Sequence, residues 1–172
     1  MIDKTKIVIR NAKETDNVNQ IAKLIYSSDL NIYGAMFENE INACKVMQKL
    51  IHSNTINISI RNLIVAAYGE DIVGILCFIK DNYFDDRVSY KSAFEQLNLP
   101  LPQHFDGVFD AYWKKIISEN FSGTYYISNV AVDSSYQNLG IGKGLLGYFI
   151  ETHSDKPIGL DVVQDNVSAI HA

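Results

Sequence analysis

Apolar residues along the chain recur with two different periods, and the switches between them mark out the elements. Lys6-Ile7-Val8-Ile9-Arg10 reads as a first strand. Residues 11–16 are polar and offer helix caps, after which Val18, Ile21, Leu24 and Ile25 fall on one side of a helix. The segment 29–37 is expected to break that helix. A second helix is expected over residues 38–52, with Ile41, Cys44, Met47, Leu50 and Ile51 inward. Residues 54–61, polar and rich in Ser and Asn, suit a loop or a short edge. Two strands follow, 63–68 and 72–80, joined through Gly69-Glu70-Asp71 as a hairpin.

The stretch 81–123 is too long for a simple connection and carries a helical pattern of its own. Phe105, Val108, Phe109, Tyr112, Trp113, Ile116 and Ile117 form a broad apolar stripe. Residues 97–102, with prolines at 100 and 102, end whatever helix precedes it. The stripe predicts a helix whose aromatic side is buried against the domain's own sheet. The competing readings are a lid over a substrate site and a dimer surface.

The stretch 124–150 organises the rest. Residues 125–132, YYISNVAV, are strand-like, a polar turn spans 133–138, and glycines follow at 140, 142, 144 and 147. Leu145, Leu146, Phe149 and Ile150 then suit one side of a helix. A strand feeding a glycine-rich turn that opens a helix is a way to hold a phosphate. The first-turn N–H groups point outward, the helix dipole favours negative charge, and glycine lets a ligand approach the backbone. A phosphorylated cofactor is therefore expected here. Residues 157–163 read as a fifth strand.

Composition narrows the partners. The 172 residues are 47% hydrophobic and 20% charged, an ordinary globular balance in one domain, 1–172. Net charge is −5 with no long basic run, so nucleic acid is not expected as a partner, while a cationic acceptor would be tolerated. The N-terminus has no apolar signal core, and the longest apolar run, 72–79, is too short to span a bilayer. Cys44 and Cys77 form neither a disulfide framework nor a metal-ligand spacing and read as reduced core residues. The histidines at 52, 104, 153 and 171 have no spacing that suggests a metal, and His153 is read as complementing a helix C-terminus. The expectation is a cytoplasmic protein without metal or membrane.

The order of residues in 124–150 resembles motif A of the GNAT superfamily, the acyl-CoA-dependent N-acetyltransferases. That motif is a strand ending in V-A-V, a short turn, then Q/R-x-x-G-x-G/A; here it reads Val130-Ala131-Val132 and Gln137-Asn138-Leu139-Gly140-Ile141-Gly142. The order strand, two helices, hairpin, strand, glycine turn and helix is similar as well. The resemblance implies an α/β (α+β) fold, with a mixed, mostly antiparallel sheet flanked by helices and a helical insertion at 81–123. It implies acetyl-CoA as co-substrate, with Val130, Ala131 and Val132 along the pantetheine arm. Gln137, Asn138, Leu139, Gly140, Ile141, Gly142, Lys143 and Gly144 would lie around the pyrophosphate. Asn166, which with Ala169 matches the family's next motif, would contact the cofactor arm or cap a helix. Tyr33 and Phe37 fall where the family shapes its acceptor pocket. The implied activity is acetyl transfer to a primary amine of a small molecule or a protein. The alternative is a CoA-binding module with little turnover.

Three points stand against the resemblance. Gly142-Lys143-Gly144-Leu145-Leu146-Gly147 is also G-x-G-x-x-G, with Asp161 and Asp165 about 20 residues onward, as in a dinucleotide site. A polar turn separates those glycines from the strand, however, and too little chain follows for further βα units. The strand 124–132 also carries no Asp or Glu, so no catalytic base is assigned; Glu38, Glu40 and Asp110 are read as solvated helix charges. The chain reads as truncated, the family's C-terminal helix, its proton-donating Tyr and its last strands being absent after Ala172. The expected consequences are self-association along the 157–163 edge, a frayed end from Asn166, and acetyl transfer weaker than cofactor binding.

Overall fold

A computed structural model describes residues 2–53, 57–80, 86–118 and 123–161 of the chain, with 113–118 described by their backbone. Five strands form one sheet: β1 (Ile7–Asn11), β2 (Leu63–Tyr68), β3 (Asp71–Ile79), β4 (Tyr125–Val132) and β5 (Ile158–Leu160). Their spatial order follows the chain, and every pairing is antiparallel except β4 with β5, which is parallel. β2 and β3 are buried on both faces, which is why they read as unbroken apolar runs rather than as alternation.

The sheet separates two cores. On one face Leu63, Val65, Ile75, Cys77 and Tyr126 pack against helices from the first two-thirds of the chain. On the other, Ile64, Leu76, Phe78, Tyr125 and Ile127 pack against Ile141, Leu145 and Phe149 of a single late helix. The first face carries α1 (Val18–Ser28), α2 (Leu30–Phe37), α3 (Glu40–Ile51), α4 (Arg87–Gln96) and α5 (Phe105–Ser118); the late helix is α6 (Ile141–Thr152).

Local chemistry sets the ends of these helices. Asn17 caps α1 by accepting from the N–H groups of Asn19 and Gln20. Just before it, Arg10 of β1 makes a two-pronged pair with Asp16, at 2.8 and 2.7 Å, and the Lys13 N–H donates to the same carboxylate at 2.8 Å. Burial alone would raise the proton affinity of Asp16, but the Arg10 and Lys13 bonds outweigh it and hold the carboxyl below its usual range.

The break expected at 29–37 is instead a helix. Asp29 accepts from the Ile32 N–H at 3.0 Å and starts α2 anew, so the chain bends without leaving helical structure. Ile41, expected inward, is 69% exposed, because α3 begins only at Glu40 and turns Ala43, Cys44, Val46 and Met47 to the core. The 54–61 segment was expected to be a polar loop; of its described part, Asn57, Ile58, Ser59 and Ile60 are all buried. Ile58 and Ile60 join the core on the helix-bearing face, and only Arg61 of the described part is exposed.

The helical insertion contains both α4 and α5. α4 ends at Gln96, ahead of the prolines, as expected. The aromatic side of α5 is buried through Phe105 and Phe109, which meet Phe37, Tyr90 and Phe94 in one aromatic cluster with centroid separations of 5.7–6.3 Å. Such pairs add about 0.5–1.5 kcal/mol each beyond area burial. The side chains of Trp113, Ile116 and Ile117 lie outside the described residues.

Candidate active site

β4 changes its relation to the sheet halfway along. Cys77 pairs with Asn129 and its neighbour Phe78 pairs with Ile127, so Ser128 is an extra residue, a β-bulge. Before the bulge, Tyr126 faces the α1–α5 side while Tyr125 and Ile127 face α6. After it, Asn129 and Ala131 face the α1–α5 side, and Val130 and Val132 face α6. Strict alternation would have put Asn129 against α6. The parallel pairing with β5 joins Tyr125, Tyr126 and Ile127 to Ile158, Gly159 and Leu160, immediately before the bulge.

On the α6 side the chain turns tightly into the helix. Asp133 accepts from the Ser135 and Tyr136 N–H groups, making a 3-10 turn, and Gln137 reaches back to the Val132 carbonyl at 3.3 Å. Asn138 and Gly140 both take positive φ, +61° and +81°, and reverse the chain into α6. Gly140 stands at the N-cap and contributes no side-chain cap; its carbonyl accepts from the Gly144 N–H at 2.9 Å. The N–H groups of Ile141, Gly142 and Lys143 thus head the first helical turn with no side-chain cap on them, in the field of the helix dipole. A Cβ on Gly142 would meet only Val132 at 4.0 Å, whereas one on Gly144 would lie 2.6 Å from Ile9 Cδ1. The glycine at 144 therefore serves the approach of α6 to β1, and its N–H belongs to the helix.

On the opposite side of the bulge lies a small pocket with apolar and polar walls. Asn129 Nδ2 donates to the Tyr33 hydroxyl at 3.0 Å and to Ser28 Oγ at 2.7 Å. Ser128, Asn57, Asp86, Tyr90 and Tyr112 line it with Tyr33 and Asn129, and Met36, Ile58 and Phe109 complete its wall. Asp86 is 2% exposed, and Asn57 Nδ2 donates to its Oδ2 at 3.4 Å. Burial raises the proton affinity of the Tyr33 and Tyr112 hydroxyls well above the usual phenol range, so both act as neutral groups.

One strand therefore presents an uncapped helix start beside one face and a small pocket on the other, with a bulge between them. The acetyltransferase (GNAT) family model matches residues 35–172. The chain belongs to the GNAT acetyltransferase family. Solved GNAT-fold structures agree on the architecture: an acetyltransferase superposes with TM-score 0.68 at 19% identity, covering 95% of this chain and 85% of that one. An N-acetyltransferase from Staphylococcus aureus Mu50 gives 0.64 at 19% identity, covering 95% and 86%. An aminoglycoside acetyltransferase from an uncultured soil metagenomic sample, in complex with trehalose, gives 0.51 at 18% identity, covering 97% and 84%. A search of curated proteins found no match.

Within this GNAT fold the residues expected from sequence take distinct places. Val130, Ala131 and Val132 end β4, residues 137–140 form the turn after it, and 141–144 are the first turn of α6. Tyr33 lines the pocket, but Phe37 is fully buried and stacks on Phe94 at 5.8 Å, a core residue rather than a pocket one. Glu38 is an exposed residue at positive φ, and Asp110 pairs with Arg87. Asn166 lies outside the described residues. His153 is the C-cap of α6, with its Nδ1 3.3 Å from the Phe149 carbonyl. It sits among Phe78, Tyr125 and Phe149, and burial outweighs the Phe149 carbonyl, lowering its proton affinity. Among the described residues no cluster of His, Cys, Asp and Glu could hold a metal, and no helix is long and apolar enough to cross a membrane. The sequence reading missed Asp86, Asn57 and Ser128. Asp86 stands in no motif of the sequence, and its burial is the only signal that marks it.

Proposed function

We propose that the chain transfers an acetyl group from acetyl-CoA to a primary amine. The observation that carries this reading is the cradle at the start of α6. Three first-turn N–H groups stand without a side-chain cap behind two positive-φ residues, directly after the strand end Val130–Val132. This arrangement fits a pyrophosphate, with residues 137–143 around it and the strand backbone at 130–132 beside the pantetheine arm. Acetyl-CoA supplies the activated acyl group as a thioester. The acceptor nitrogen bonds to the carbonyl carbon, the carbon–sulfur bond breaks, and of the two protons the ammonium loses, one goes to the CoA sulfur and one to solvent.

The chain's part is to bind, orient and exclude water. The bulge at Ser128 interrupts the regular β3–β4 pairing, and strand N–H groups there would serve as donors to the thioester carbonyl oxygen. The pocket around Asn129 and Asp86, on the other side of the same strand from α6, supports an acceptor site there. A protein amine and a small amine both remain within this reading.

The test is calorimetric titration with acetyl-CoA, CoA and NADH, followed by thiol release with a panel of amines. Acetyl-CoA and CoA are expected to bind and NADH not to. Binding without thiol release from any amine would leave a CoA-binding module as the better description. Binding of NADH alone would overturn the reading.

A further inference from the structure

The hydrogen bonds beside the β4 bulge can be followed hydrogen by hydrogen. Ser28 Oγ lies 2.6 Å from the Ile25 carbonyl, so its hydrogen is used within α1. Its lone pairs must then face a donor, which turns the Asn129 amide nitrogen toward it at 2.7 Å. The same nitrogen lies 3.0 Å from the Tyr33 hydroxyl, so both amide hydrogens are used. The Tyr33 oxygen is therefore an acceptor here, and its own hydrogen points elsewhere. Among the described residues none accepts it.

That hydrogen faces a cavity. Tyr33 is 5% exposed and lines the pocket at Ser128 and Asn129, whose volume of about 20 Å³ has room for roughly one water-sized group. A buried O–H without an acceptor destabilises the fold, and an oxygen entering the cavity would relieve this. Met36, Ile58 and Phe109 keep part of the wall apolar, so a hydrogen bond made there is little screened. Burial also keeps Tyr33 neutral, so that it donates without ionising.

The thioester would arrive at the same place. Among the described residues β5 pairs with β4 only at Tyr125, Tyr126 and Ile127. A pantetheine arm laid along 130–132 from the start of α6 therefore ends beside Asn129 and Ser128, both of which line the cavity.

We propose that Tyr33 donates its O–H to the carbonyl oxygen of the acetyl thioester, as the side-chain member of an oxyanion site at the β4 bulge. This rests on the acetyltransferase reading and adds a catalytic residue to it. As the amine nitrogen bonds to the carbonyl carbon, the π pair moves onto the oxygen, where the Tyr33 hydrogen meets it. When that pair returns, the carbon–sulfur bond breaks and its electrons leave with the sulfur. The protons lost by the ammonium go to the CoA sulfur and to solvent, and Tyr33 keeps its own. Asn129 is a positioning residue, holding the Tyr33 oxygen from behind.

The test follows the thioester carbonyl itself. Acetyl-CoA with an isotope-labelled carbonyl carbon is bound to the parent and to Tyr33→Phe, and its stretching band is read by difference infrared spectroscopy. Affinities for acetyl-CoA and CoA are measured by calorimetry on the same preparations. In the parent the band should lie at lower frequency than for acetyl-CoA in water. In Tyr33→Phe it should move to higher frequency, and acetyl-CoA affinity should fall about fivefold. CoA, which lacks the acetyl carbonyl, should bind both proteins alike. A purely structural role for Tyr33 would weaken both ligands equally and leave the band in place, and either result overturns the proposal. A parent band above that in water would show an oxygen without donors and overturn it whether or not the variant folds. Failure of acetyl-CoA to bind the parent overturns the acetyltransferase reading and this inference with it; binding with an unmoved band overturns this inference alone.

Discussion

Asn129 donates to the Tyr33 hydroxyl at 3.0 Å, joining two residues that are 96 positions apart in the chain. The bond ties β4, at its bulge, to α2, and so fixes one wall of the pocket against the strand. Tyr33→Phe removes the hydroxyl but leaves Asn129 its second partner, Ser28. The expected loss of stability is about 1 kcal/mol. Asn129→Leu strands the buried Tyr33 hydroxyl and should cost about 2 kcal/mol or more. Urea unfolding of the two variants measures this order, and equal losses would show that the bond does not carry the contact.

Gly142→Asp separates the cradle from the fold. A side chain there meets only Val132, at ordinary contact distance, and a carboxylate in the first turn of a helix is favourable to the helix itself. The same charge faces the anion that the first-turn N–H groups are proposed to hold. Acetyl-CoA affinity should fall by at least about tenfold, an electrostatic penalty of 1.4 kcal/mol or more, with the melting temperature within a few degrees of the parent's. Calorimetry and thermal unfolding on the same preparation check both halves.

Gly144 should answer to size rather than charge. An added Cβ would lie 2.6 Å from Ile9 Cδ1, the mobile end of a side chain. Gly144→Ala is expected to be nearly neutral, because the Ile9 shift is offset by about 1 kcal/mol of helix propensity. Gly144→Val should cost about 1–3 kcal/mol by overpacking. Ile9→Val, which removes the opposing methyl, should recover part of that loss. A double-mutant cycle measures the coupling, and additive effects would mean that the helix and β1 do not meet as described.

The Arg10–Asp16 pair predicts an acid-side effect. Asp16 has a folded-state proton affinity below its usual value, so its contribution is fully present above the usual carboxylate range. It fades as pH falls through that range toward the lower folded value. Asp16→Asn should therefore cost about 1–2 kcal/mol at pH 7, and the gap to the parent should close in strongly acidic solution. Chemical unfolding at pH 7 and below pH 4 tests the sign, and a gap that widened on acidification would contradict the pair's role.

Much of this architecture could be read from the chain because its signals are local. The β2–β3 hairpin, β4, the glycine turn and α6 each show their period within a dozen residues. α2 was hidden because Leu30–Phe37 is apolar nearly all round and carries Gly34 mid-helix, so it shows neither a polar face nor a good propensity. The cofactor side of the site was legible, being one continuous stretch. The acceptor side was not. Asn57, Asp86, Tyr112 and Asn129 come from four separate parts of the chain and meet only when α2, α4 and α5 close over β4. The bulge left no mark at all, since Ser128 is an unremarkable residue inside a strand pattern.

That unremarkable serine makes the chain's reading frame through the strand a functional property. Ser128 acts as a spacer, and its presence counts for more than its hydroxyl, which meets only the Cys77 carbonyl at 3.4 Å. Replacing it changes one side chain; deleting it would exchange the two sides of every residue beyond. Asn129 would then be pressed into the apolar layer beneath α6, and Val130 would be offered to the tyrosines. Substitutions along β4 can be accommodated one at a time, but a change of length by one residue cannot, because the strand must count correctly to serve two chemistries at once.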